Sequence, residues 1–170
     1  RQNINYDTCN LIVHGTTVGT NTLLEKNGAK TALITTKGFR DIIELGRTTR
    51  MVPHSLYNPY FLRPPPFVPR HLRFVIDERT SASGKILKIP DEMALNELIK
   101  KLKSLSVESL AICFINSYRN PENESMVAKV LKSHFKFVTY SASVVNEIRE
   151  YERFIACVIN AYLAPKMTIY

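Results

Sequence analysis

The sequence predicts an α/β fold: a mostly parallel sheet with flanking helices and one β-hairpin. Three observations carry that reading. Short apolar runs of strand length alternate with amphipathic stretches of helix length, Gly, Asn and Pro punctuate the joints, and one tract of alternating character doubles back across Ser83-Gly84. The composition agrees with it. A chain of 170 residues, 45% apolar and 22% charged, fits one ordinary domain with a core large enough to need no disulfide or metal staple.

Leu11, Ile12 and Val13 read as a short buried strand that runs into His14-Gly15-Thr16-Thr17, where the glycine breaks the strand and the hydroxyls can cap a helix. That helix is expected to run to about Asn27, with Asn27-Gly28 as its stop. Residues 30–36, with Ala32, Leu33 and Ile34 at their centre, read as a second strand. Gly38 then turns the chain into a second helix over residues 39–45, so residues 1–46 form a βαβα unit.

Six of the nine prolines fall between Gly46 and Arg73, a density that no regular hydrogen-bonded element tolerates, so residues 47–73 are expected to form a long proline-rich loop. A loop of this length suits a functional arm or a polyproline spacer, and its aromatic residues suggest that it packs on something. Residues 73–79 and 85–89 alternate and suggest a hairpin. Pro90-Asp91-Glu92 opens a helix in which Leu95, Leu98, Ile99 and Leu102 recur at helical spacing, with Lys100, Lys101 and Lys103 at the end that favours positive charge.

The continuous run at residues 110–115 predicts a fully buried strand, and Asn120-Pro121-Glu122 opens a helix with Met126, Val127, Val130 and Leu131 on one face. Residues 137–140 follow as a strand, so residues 74–145 hold a hairpin and a βαβ unit. From about Asn146, the positions Ile148, Tyr151, Ile155, Val158 and Tyr162 step by three and four. They predict a long helix over residues 146–170 that Pro165 ends or interrupts, and that could begin a further domain.

The longest apolar runs are six residues, against the ~20 of a spanning helix, so no membrane segment is expected. Lys and Arg total 23 against 15 Asp and Glu, a net charge of +8. Residues 1–76 carry ten basic and four acidic groups (+6), and the rest thirteen and eleven (+2). The excess suits a small anionic ligand; scattered singly, it forms no nucleic-acid stripe. Cys9, Cys113 and Cys157 have no redox or metal spacing, which points to a reducing cytoplasm, and the histidines and acids offer no metal site. The first residue is Arg1, and we read the chain as a fragment.

Candidate chemistry sits at four places. Gly15, Thr16 and Thr17 lie where a strand enters a helix, so free amides and hydroxyls could cradle an anion, or simply cap a turn. Arg47 and Arg50 follow Gly46 and could grip a carboxylate or phosphate, or stay solvated. Residues 116–121 lie past a strand's carboxyl end, where open sheets bind ligands; an Asx turn with helix capping by Asn120 is the plain alternative. In the charged run at residues 147–153, Arg149 with Glu152 or Glu150 with Arg153 would pair on a helix surface for only tenths of a kcal/mol.

Taken together, five blocks in order resemble a known family: residues 14–25 (His-Gly-Thr-Thr-Val-Gly-Thr-Asn-Thr-Leu-Leu-Glu), 33–41, 44–47, 114–121 and 147–153 (Glu-Ile-Arg-Glu-Tyr-Glu-Arg). They look like the N-terminal region of the hydantoinase A / 5-oxoprolinase family, across essentially the whole chain. Gly19 and Thr22 stand where relatives often have alanine, and Asn116 where histidine is common.

The resemblance implies part of an actin-like or sugar-kinase-like ATPase fold. It also implies ATP-dependent opening of a cyclic amide such as hydantoin, N-methylhydantoin or 5-oxoproline, with ketone carboxylases as cousins and ATP and Mg²⁺ as cofactors of the complete enzyme. A glycine-rich phosphate hairpin is expected before Arg1 and a nucleotide-binding half downstream, so the fragment alone is expected to hold neither ATP nor metal. A second subunit of hydantoinase B type is the expected partner. On this resemblance, the catalytic candidates are His14, Thr17 and Glu150. Substrate or phosphate contacts fall to Gly15, Thr16, Asn21, Arg47, Ser117 and Arg149. A non-catalytic interaction domain is the alternative.

Overall fold

The computed structural model describes residues 15–47, 60 and 64–169. The strand expected at residues 11–13, His14 and most of the proline-rich loop lie outside them. The elements are α1 (Val18–Glu25), β1 (Thr31–Thr36), α2 (Ile42–Leu45), a 3₁₀ turn (Arg70–Leu72), β2 (Arg73–Ile76), β3 (Arg79–Thr80) and β4 (Ile86–Lys88). There follow α3 (Glu92–Ser104), β5 (Ser109–Cys113), α4 (Glu122–Lys132), β6 (Phe137–Tyr140), α5 (Ser141–Val144) and α6 (Glu150–Ile169).

Four strands form a wholly parallel sheet in the order β2-β1-β5-β6, and β3 and β4 make a separate antiparallel pair. Every residue of the central strands β1 and β5 is buried, which requires cover on both faces. α6 lies across β1, β5 and β6 on one face; right-handed crossovers put α3 and α4 on the other, against β2 and against β5 and β6. Leu33, Ile34, Leu110 and Ile112 meet Leu102, Leu131 and Phe154 in one continuous core.

Several local expectations are corrected. The hairpin is smaller than the alternation suggested: residues 73–76 leave it and pair parallel with β1, from Leu33 opposite Arg73 to Thr36 opposite Ile76. Alternation fixes which side chains share a face but not which strand lies beside them. Phe39–Leu45 gives only a single helical turn at α2.

The first helix stops at Glu25, with Lys26 in the left-handed conformation at φ 53° and its amide donating to the Thr22 carbonyl. Gly28 is therefore not the stop; a Cβ there would lie 2.2 Å from the Tyr162 ring, so the glycine exists for close approach. α6 begins at Glu150, four residues late, and runs through Pro165. Its buried stripe is Arg153, Phe154, Cys157, Val158, Ala161 and Tyr162, while Ile148 is exposed. On α4, Met126 and Val130 are partly exposed, and the buried stripe starts instead with Asn123 and Glu124. α3 forms as its spacing predicts, capped by Asp91, whose carboxylate accepts from the Ala94 amide at 2.9 Å.

The edge strand β2 is tied to α2 by charge. Arg73 is 5% exposed, and its guanidinium donates to the Val68 carbonyl at 3.0 Å, to Asp41 at 3.2 Å and to Glu44 at 2.6 Å. Arg70 forks onto the same Asp41 at 3.0 and 3.1 Å. No helix among the described residues is long and apolar enough to cross a membrane.

Hydrogen bonding from Arg70, with the charges of Arg70, Arg40 and Arg73, holds the Asp41 carboxyl below its ordinary value of 3.8. A depressed acid stabilises the fold above its unfolded pKa and loses that contribution as pH falls through the native one. Urea melts of Asp41→Asn should therefore show a smaller loss of stability between about pH 5 and pH 2 than the parent chain. Identical acid profiles would remove Asp41 from this role. Arg73→Met, which removes the buried guanidinium that ties Asp41, Glu44 and the Val68 carbonyl together, should cost about 1–3 kcal/mol by denaturant unfolding.

Candidate functional site at the carboxyl edge of the sheet

The strands point their carboxyl ends to one edge, the place where open parallel sheets bind ligands. Two groups of polar side chains close that edge. The first is centred on Glu124, in the first turn of α4, and Arg153, one turn into α6; both are buried, at 0% and 1% exposure. Glu124 Oε1 accepts from the Phe114 amide at 2.7 Å, Ser117 Oγ at 2.8 Å and Ser141 Oγ at 2.6 Å, and Oε2 from the Ala142 amide at 3.0 Å.

Arg153 faces it at 3.8 Å. Its Nη1 donates to Ser117 and to Ser141, the latter at 2.7 Å, and its Nη2 to the Phe114 carbonyl at 2.9 Å and to Glu150. Nε has no partner. Burial pushes the Glu124 carboxyl up, against the pull of its donors and of Arg153.

The second group joins β1 to the hairpin. Thr36 Oγ1 donates to Glu78 and accepts from the Ile115 amide at 3.0 Å. Asn123 Nδ2 donates to the other Glu78 oxygen at 2.8 Å and to the Lys88 carbonyl at 3.0 Å. Burial pushes the Glu78 carboxyl up, while Thr36 and Asn123 hold it down. Between the groups lies Asn116, at φ 61°. Its amide donates to Glu150 Oε1 at 2.9 Å and its Nδ2 to the Thr80 carbonyl at 2.9 Å. A non-glycine residue persists in this conformation when such bonds over-determine it.

Of the candidates read from sequence, this edge gathers Arg47, Ser117, Arg149 and Glu150. Glu150 is half-buried and holds Asn116 and Arg153. Ser117 is buried inside the network. Arg47 pairs with Glu152, and Arg149 is exposed at φ 94° directly before α6. The surface pairing expected in residues 147–153 is thus half corrected: Glu150 and Arg153 do pair, but Arg153 is interior.

Gly15, Thr16, Thr17 and Asn21 lie elsewhere. They open α1, which packs on the far end of α6, where Leu163 and Met167 flank Gly19. Thirteen residues of helix separate Glu150 from Leu163, roughly 20 Å at about 1.5 Å per residue. Thr16 Oγ1 accepts from the Val18 amide at 3.2 Å, and Asn21 Nδ2 donates to Thr17 Oγ1 at 3.4 Å. His14 and Arg50 lie outside the described residues.

Sequence reasoning missed Glu124, Ser141, Glu78, Thr36 and Asn123. The available signal was Asn123-Glu124 in the first turn after a predicted strand end, where polar side chains can cap exposed backbone. Among the described residues, no group of His, Cys, Asp or Glu is arranged to hold a metal ion. The start of α1 offers hydroxyls and amides to one oxyanion but has no basic side chain among its own residues. These residues therefore do not fit a complete nucleotide triphosphate with its metal.

Arg153→Met and Glu124→Leu, made singly, should each cost about 3–5 kcal/mol: the first leaves the buried Glu124 without its counter-charge, and the second takes the acceptor from the Phe114 and Ala142 amides and leaves Arg153 with Glu150 as its one carboxylate among the described residues. The double variant should cost clearly less than the sum in denaturant unfolding; strict additivity would show that the two charges do not depend on each other.

The comparisons with known proteins agree on one family. Residues 1–135 match the family described as the hydantoinase/oxoprolinase N-terminal region. The caprolactamase subunit alpha of Pseudomonas jessenii is 36% identical over 95% of this chain and 23% of its own length. The 5-oxoprolinase of Saccharomyces cerevisiae is 30% identical over 92% of this chain and 14% of its own. The crystal structure of the ATP-dependent caprolactamase from P. jessenii superposes with a TM-score of 0.87, at 34% identity, over 95% of this chain and 24% of that one. The nucleotide-free acetone carboxylase structure follows at 0.76 and 28% identity, over 87% and 22%. The chain thus spans a quarter or less of the length of these relatives. It belongs to the hydantoinase/oxoprolinase family, within that family's N-terminal region.

Proposed function

We propose that the chain is the substrate-side α/β segment of an ATP-dependent enzyme that opens a cyclic amide: a lactam, a hydantoin or 5-oxoproline. The observation that carries the reading is the likeness to the ATP-dependent caprolactamase, which extends over nearly the whole chain at a TM-score of 0.87. In this reading Glu150, Arg149, Arg47 and the Asn116 turn form one wall of the substrate site. The buried Glu124–Arg153 pair positions Glu150 and Asn116. His14, Gly15, Thr16, Thr17 and Asn21 form a second, separate wall that meets an anionic oxygen.

ATP and Mg²⁺ belong to the complete enzyme, and the groups that hold them come from outside the residues described above. A second subunit, of hydantoinase B type, is the partner we infer; the designation of the caprolactamase relative as a subunit supports a partner chain in general. ATP-dependent ketone carboxylation is the second reading, favoured by the likeness to acetone carboxylase at 0.76.

The test is phosphate release from ATP by the complete protein, with its partner subunit, against a panel of lactam, hydantoin, 5-oxoproline and ketone with bicarbonate. Stimulation by a cyclic amide without bicarbonate is expected; stimulation only by a ketone with bicarbonate would move the assignment to carboxylation. Glu150→Gln and Thr17→Ala should each reduce substrate-dependent release at least about tenfold, the loss of one charge-assisted hydrogen bond or more. Unchanged turnover in both would remove these residues from the site.

A further inference from the structure

At the opposite, amino-terminal edge of the sheet lies a cavity of about 430 Å³ bounded by Lys26, Lys30, Phe67, His71, Glu108 and Tyr162. Its rigid part is Tyr162. The ring lies over Gly28, where a Cβ would stand 2.2 Å away, and meets Phe67 at 5.3 Å between centroids and a tilt of 52°. The Ala29 amide donates to the Tyr162 carbonyl at 3.0 Å, so backbone and ring are both fixed.

Tyr162 is only 6% exposed, yet its hydroxyl makes no hydrogen bond within the described residues and is not sealed away from the cavity. A phenol held this firmly normally has a partner for its O–H. Lys26, Lys30 and His71 make no ion pair among the described residues either. Among the described residues Glu108 is the one acid on the rim, and its Oε1 already accepts from the Lys30 amide at 3.3 Å. The cavity therefore combines a preset hydroxyl donor with a surplus of positive charge. Lys26 and Lys30 belong to residues 1–76, where the sequence concentrates its basic excess.

We propose that this cavity binds a small oxyanion, a phosphate or a carboxylate, with Tyr162 Oη–H as the fixed donor and the Lys26 and Lys30 ammonium groups as counter-charges. Gly28 belongs to the site indirectly, because only glycine lets the Tyr162 ring reach its place. The site is independent of the ATP-driven reaction proposed above, and binding is read without ATP.

The experiment is calorimetric titration of the complete protein, at low ionic strength, with inorganic phosphate in one arm and glutarate in the other. Saturable binding of at least one is expected, and the arm that binds tighter assigns the ligand as phosphate or carboxylate. Tyr162→Phe, which keeps the ring and its packing, should weaken that binding about tenfold, the loss of one hydrogen bond to a charged group. Lys30→Gln should weaken it severalfold while leaving the melting temperature in place. No saturable binding in either arm, or Tyr162→Phe binding as tightly as the parent, would overturn the proposal.

Discussion

The buried contact between Glu124 and Arg153 is the constraint on which the carboxyl edge of this molecule depends. A parallel sheet ends in backbone amides and carbonyls that no neighbouring strand satisfies, and here those groups belong to the turns at Phe114 and Ala142. One carboxylate takes the amides and one guanidinium takes the carbonyl, and each neutralises the other. Two helices on opposite faces of the sheet are thereby joined past the strand ends. Desolvating two ions is expensive, and the pair is tolerable only because nearly every lone pair and proton finds a partner. Arg153 Nε, without a partner among the described residues, is the exception.

The same pair shapes the site. Glu150 stands at the boundary between interior and solvent, with one oxygen on the Arg153 guanidinium and the other on the Asn116 amide. Its orientation, and the left-handed turn at Asn116, are therefore fixed from inside. Thr36, Glu78 and Asn123 do the same for the hairpin, which is too small to be stable by its own strand pairing. The edge is a preorganised wall whose exposed groups rest on buried ones.

α6 links the two edges of the molecule. Its first turn meets the carboxyl edge through Glu150, and its later turns carry α1 and close the cavity at the amino edge through Tyr162. A helix of this length separates the two by more than a small ligand can span. The Thr-rich motif and the Glu-Arg run, adjacent in any list of candidate residues, are therefore distinct places. Cys113 and Cys157 lie between them in the core, where burial pushes the Cys113 thiol well up and keeps it unreactive.

Periodicity alone was enough to place α3, β5, β6 and the alternation of strands and helices, because local burial patterns repeat at 2.0 and 3.6 residues whatever the partner. Five ordered motifs were enough to point to the family. What the one-dimensional pattern could not carry was pairing: Arg73–Ile76 alternates like a hairpin strand but joins β1, since alternation says nothing of the neighbour. Nor could it tell that Glu124 and Arg153 are interior. A charged residue one turn into a helix reads as solvated, and only the tertiary approach of α4 and α6 supplies the opposite charge and the strand-end backbone that make its burial tolerable. Gly28 follows the same logic, a stop signal by sequence and a seat for Tyr162 by structure. The sequence by itself determined the elements and the family; the tertiary structure decided which polar groups are buried and which side chains meet, because those depend on desolvation and contact between segments far apart in the chain.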